Sequence, residues 1–132
     1  MIKQLFEHPA ELLILLFLIV TFLQSGLDKV MDWKGNLSFI KGHFQNSPLK
    51  KMVPLLLGTI TIMELSAALL MGYGVLQLLT SGITRSALYG VMIAALTLIF
   101  LLIGQRLAKD YAGAMTLAVY FIIAVLGVFL LN

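Results

Sequence analysis

Long apolar runs alternate with short polar breaks along this chain. Four runs stand out, at residues 10–27, 53–71, 86–103 and 111–131. Each approaches the roughly 20 residues a helix needs to cross the hydrocarbon of a bilayer. None shows the period-two alternation of a strand. The pattern predicts an all-α integral membrane four-helix bundle. Residues 1–132 form one membrane domain, with no internal repeat, linker or low-complexity segment.

The break between the first two runs is the only one with room for structure. Trp33, Leu37, Ile40 and Phe44 recur near helical spacing, while Lys34, Lys41 and His43 fall elsewhere. That predicts a short interfacial helix with Asn36 as its N-cap. It serves either as an aromatic anchor at the interface or as a lid over a lateral opening. Ser47-Pro48 resembles an N-cap followed by proline at the first helical position. Pro54 then either starts the buried part of the second span or kinks it.

Composition sets the solvent. The chain is 61% hydrophobic and 11% charged, with mean hydropathy +1.03. A soluble domain carries about 25% charged residues. So few charges cannot cover a globule in water. The N-terminus lacks the strongly basic start and small-residue cleavage site of a signal peptide. The first run is therefore expected to stay as a span.

The basic residues are unevenly placed. Lys29, Lys34, Lys41, Lys50 and Lys51 follow the first run, and Arg106 and Lys109 lie between the third and fourth. Only Lys3 and Arg85 lie on the opposite side. The positive-inside rule puts the first and third breaks in the cytoplasm and both termini outside. A net charge of +3 without an arginine-rich patch suits membrane lipids rather than nucleic acid.

The absence of cysteine rules out thiol catalysis within this chain. His8 and His43 are isolated, so no metal or haem site is expected. The seven methionines are scattered and read as core filler.

Glu64 is the costly residue. It lies inside the second run, where a charged side chain at the bilayer centre costs about 2.5–3.5 kcal/mol. Lipid disfavours an ionised carboxylate. A protonated Glu64 is therefore expected, bonded to a hydroxyl in a layer formed with Thr97 and Tyr120, near the middles of the third and fourth runs. Thr61 lies one turn away on the same face. Two roles compete: a hydrogen bond that fixes helix register, or a proton- or ligand-handling group.

Thr21, Gln24 and Asp28 form a second polar group, at i, i+3 and i+7, with Ser25 and Asp32 alongside. This stripe reads either as a path towards Glu64 or as the fading of hydrophobicity at a helix end. Gly113, Thr116, Tyr120 and Gly127 lie close to one face of the fourth run and predict a packing seam.

Three segments carry a resemblance. They are Phe22-Leu23-Gln24-Ser25-Gly26-Leu27-Asp28-Lys29-Val30, then Pro54 with Ile62-Met63-Glu64-Leu65 and Leu69-Leu70-Met71-Gly72, then Gly82-Ile83-Thr84-Arg85-Ser86-Ala87-Leu88. In order and spacing they resemble the DoxX-like family of small four-span bacterial membrane proteins. The resemblance runs from the first span to the third, and the fourth matches only in character. It implies a four-helix membrane bundle, with Gly26, Lys29, Glu64 and Arg85 at family-typical positions. It also implies a link to quinone-dependent redox systems. The chain departs from the thiol-bearing relatives in having no cysteine.

Three functions follow. The first is an accessory subunit or a bundle binding a small hydrophobic ligand, quinone or lipid, with Glu64 as buried polar anchor. Its partner would be a larger membrane complex or further copies of the chain. The second is a proton-coupled transporter or proton conductor using Glu64, with Gln24 and Asp28 as the path. The third is a subunit of a quinone-linked redox enzyme. The chain carries no haem, flavin or metal motif, so its sequence points away from an enzyme.

Overall fold

The computed structural model describes all 132 residues. It is helical throughout: α1 (Ile2–Glu7), α2 (Pro9–Met31), α3 (Trp33–His43), a 3-10 turn (Lys50–Met52), α4 (Val53–Ser81), α5 (Arg85–Leu107) and α6 (Tyr111–Leu131). Four of these, α2, α4, α5 and α6, are long and apolar enough to cross a membrane.

The four long helices form a closed ring. α4 packs on α2 and α5, and α6 packs on α5 and α2. Small residues set the α4–α5 approach. A Cβ on Gly74 would collide with the Ala87 backbone, and one on Gly90 would come 2.7 Å from Met71. Gly127 does the same service for α6, where a Cβ would lie 3.0 Å from Ile14 and 3.2 Å from Val91. Without a hydrophobic force between helices in lipid, such close packing carries much of the association.

The core fills the half of the ring away from α3. Leu15, Leu18, Phe22, Met71, Leu78, Val91 and Ala124 are buried there. The outer surface of the ring is also apolar, with Leu13, Leu69, Met115 and Phe129 each exposed by two thirds or more. An apolar belt around an apolar core is what lipid, not water, selects.

Some boundaries differ from the sequence expectation. α4 continues ten residues past Met71, through Gly72 and Gly74, because α5 packs along it and replaces what glycine withholds. The interfacial helix exists, but it starts earlier. Asp32 is its N-cap, accepting from the Gly35 N–H at 3.2 Å. Asn36 lies inside the helix, and its amide donates to the Asp28 and Asp32 carbonyls at 3.1 and 2.8 Å. Ser47 caps only a turn, its Oγ accepting from the Leu49 N–H. The helix begins at Val53, and Pro54 sits in its first turn, where no N–H is needed. α1, which has no sequence expectation, lies over the far end of α4, with Gln4 against Gly82.

Candidate functional site

Gly26 brings α2 against α4. A Cβ there would meet the Leu65 side chain at 2.6 Å and the Glu64 Cβ at 3.6 Å. Side chains on a helix lean towards its N-terminus, so Lys29, three residues on, reaches back to this level. Its Nζ lies 2.6 Å from Ser25 Oγ, 3.3 Å from the Ser25 carbonyl and 2.8 Å from Glu64 Oε1. Both side chains are largely buried, Lys29 at 16% exposure and Glu64 at 4%. The Glu64 contact is an ion pair without hydrogen-bond alignment, so Oε1 has no directed donor.

The partner of Glu64 is therefore an ammonium and not a hydroxyl. Thr97 does lie at its level. The α4–α5 contacts of Gly74 with Ala87 and of Met71 with Gly90 place Thr97 opposite Glu64 when continued down the seam. Its hydroxyl, however, donates to the Ile93 carbonyl at 2.7 Å. Thr61 is spent in the same way on Leu57. A threonine hydroxyl inside a helix can share the carbonyl one turn back with the backbone N–H, and this local bond competes with a distant partner.

Tyr120 is not in this layer. Its ring packs on Phe17 at 6.1 Å between centroids. Phe17 lies nine residues before Gly26, a rise of about 13 Å. Gln24 and Asp28 are exposed, and neither side chain bonds to the pair. Thr21 bonds the Phe17 carbonyl. The stripe at the end of α2 therefore runs along the outside of the ring, and only its neighbour Ser25 turns inward. Arg85 is exposed at the start of α5 on the opposite end of the molecule. Of the expected site residues, Lys29 and Glu64 are brought into contact beside Gly26, Thr97 lies level with Glu64, and Gln24, Asp28, Tyr120 and Arg85 stand apart.

Beside the pair lies a cavity of about 500 Å³ between α3, α4 and the loop-side end of α5. Ile40 comes from α3 and Phe44 from just past its end, Leu57 and Ile60 from α4, and Phe100 and Leu101 from α5. Phe39 and Phe100 line it and are exposed, so it opens to the outside of the bundle between α3 and α5. Lys29 is one of the few charged groups on the wall.

The polar edge of the cavity is built by His43. Its Nε2 is bonded to Gln105 Oε1 at 2.8 Å and lies 3.5 Å from Asp110 Oδ2. The ring stacks on Phe39 and meets Phe44 edge-on. Asp110 is fixed as the N-cap of α6, accepting from the Gly113 N–H at 2.9 Å. Gly113 thus serves a cap and not a packing seam. His43 ties α3 to the α5–α6 corner and lines the cavity on that side.

Sequence reasoning missed His43, Gln105 and Asp110 as a group. They are separated by 62 residues between His43 and Gln105. The one available signal was that the first and third breaks share an end of the bundle. A family resemblance had marked Lys29, but nothing had pointed to it as the partner of Glu64. Compared with known proteins, the chain matches no family model, no curated protein and no solved structure.

Proposed function

We propose that this protein is a membrane-embedded binding bundle. It holds a small hydrophobic molecule, quinone-like or lipid-like, in the cavity under α3. The carrying observation is that cavity itself: apolar-walled, open to the outside of the bundle at Phe39 and Phe100, and bordered by Lys29 and by His43 with Gln105. Ligand pockets characteristically combine apolar walls with a few placed polar groups. The Lys29–Glu64 pair is the polar anchor at the inner end, and α3 is the cover.

The DoxX-like resemblance belongs to the same proposal, as does an accessory role beside a larger membrane complex. So does a bacterial inner-membrane location with both termini outside, supported by seven basic residues at the α3 end against two at the other.

Purification in mild detergent followed by native mass spectrometry tests the reading. A bound quinone or lipid is expected on the intact chain. Ile60→Trp, which fills the cavity from α4, is expected to remove it while leaving the melting temperature within a few degrees. Wild-type protein recovered free of any bound apolar molecule, and unable to take one up on addition, would sink the proposal.

A further inference from the structure

Two cavities of opposite chemistry meet at His43. The apolar one is described above. The second, about 320 Å³, lies on the loop side between the α3–α4 connection and the α5–α6 corner. Its wall includes Gln45, Asn46, Ser47 and Lys109, and His43 lines both cavities.

Lys109 carries an unusual backbone. The end of α5 is a Schellman-type turn: the Asp110 N–H donates to the Gln105 carbonyl at 2.9 Å, and the Lys109 N–H to the Arg106 carbonyl at 3.1 Å. The residue at that corner must be left-handed, a conformation glycine takes without steric cost. α4 ends in the same conformation with Gly82, at φ 70°. α5 ends with Lys109 at φ 62°, the only non-glycine residue of positive φ in the chain. A long cationic side chain stands where glycine is the default, and that residue lines the polar cavity.

The charges also differ between the two chambers. Lys29 is already neutralised by Glu64, so the inner cavity has no free cation for an anion. Lys109 forms no ion pair, and the Asn46 backbone N–H makes no backbone hydrogen bond. A multi-oxygen anion can use an ammonium and an amide N–H together.

We propose that the two cavities are one site for a single-chain amphiphile with a phosphate head, of the lysophospholipid class. The acyl chain lies in the apolar cavity, the head lies past His43, and Lys109 holds the phosphate. This rests on the reading above that the apolar cavity takes a lipid-like molecule.

The test uses the full chain, delipidated in mild detergent and titrated under native mass spectrometry. The probes are 1-oleoyl lysophosphatidate, monooleoylglycerol and glycerol 3-phosphate. Wild-type protein is expected to bind lysophosphatidate about tenfold or more tightly than monooleoylglycerol, the effect of one charge-assisted contact. Lys109→Gly is expected to abolish that preference, and Lys109→Arg to keep it. Without lipid, Lys109→Gly is expected to melt at or above the wild-type temperature, because glycine relieves the corner. An unchanged preference in Lys109→Gly, or a lower melting temperature, overturns the role of Lys109. Equal binding of both amphiphiles by wild-type protein overturns the phosphate head but leaves the apolar-ligand reading standing. Glycerol 3-phosphate bound as tightly as lysophosphatidate overturns the joined site and makes a free phosphate ester the ligand. No binding of either amphiphile overturns this proposal and the apolar-ligand reading together.

Discussion

At the scale of single residues, Glu64 is tolerable in this bundle because Lys29 is delivered to it. Two sequence features make the delivery: Gly26, which lets α2 come close, and Ser25, whose hydroxyl and carbonyl hold the ammonium inward. Breaking a buried pair by removing one partner strands the other charge, whereas replacing both with apolar groups can be nearly neutral. Lys29→Met is therefore expected to destabilise the fold by about 3 kcal/mol at neutral pH. The double variant Lys29→Met/Glu64→Leu is expected to recover more than half of that loss. Unfolding midpoints in mixed micelles measure both. Strictly additive losses would show that the 2.8 Å contact contributes no coupling. The threonines show why the partner of Glu64 was not legible in the sequence. Depth in the sequence suggests Thr97, but depth does not reveal that its hydroxyl is already satisfied by Ile93. Polar residues in apolar helices advertise a bond, and only the packed structure assigns its other end.

At the scale of elements, glycines that look alike in sequence do different work. Gly74 faces Ala87 with no space for a Cβ, whereas Gly72, two residues away, has nothing within 4 Å. Gly74→Ala is expected to cost about 1–3 kcal/mol through overpacking of the α4–α5 seam. Gly72→Ala is expected to be neutral or to stabilise by up to about 1 kcal/mol through helix propensity. The same unfolding midpoints would separate them, and equal effects would contradict the seam. The existence and type of the four long helices were legible from apolar run length alone, because lipid permits few alternatives to a helix. Their ends were less so. The expected stop at Met71 rests on the glycines and polar residues that follow, yet α5 carries α4 on to Ser81. Asn36 and Ser47 have the chemistry of caps, but Asp32 stands earlier and takes the N-cap of α3.

At the scale of the whole molecule, what was hidden in the sequence is the asymmetry between the two halves of the ring. The half away from α3 is a dense core, while the α3 half holds two cavities and the polar groups that border them. The arrangement depends on contacts between segments far apart in the chain, His43 with Gln105 and Gly104 against Phe44, which no local pattern encodes. The charge asymmetry, by contrast, was fully legible, and it coincides with the structural one. The α2–α4 connection and the α5–α6 corner meet at one end, and that end carries seven of the nine basic residues. If the positive-inside rule operates here, the cavities lie at the cytoplasmic face and α1 lies outside. Because the chain has no cysteine, single cysteines report this directly. Both Lys41 and Arg85 are exposed, so labelling depends on the side of the membrane and not on burial. In intact cells, a membrane-impermeant maleimide is expected to label Arg85→Cys and to spare Lys41→Cys until the cells are opened. The reverse pattern would place both cavities on the outer face, and any head group reaching Lys109 would then come from the outer leaflet.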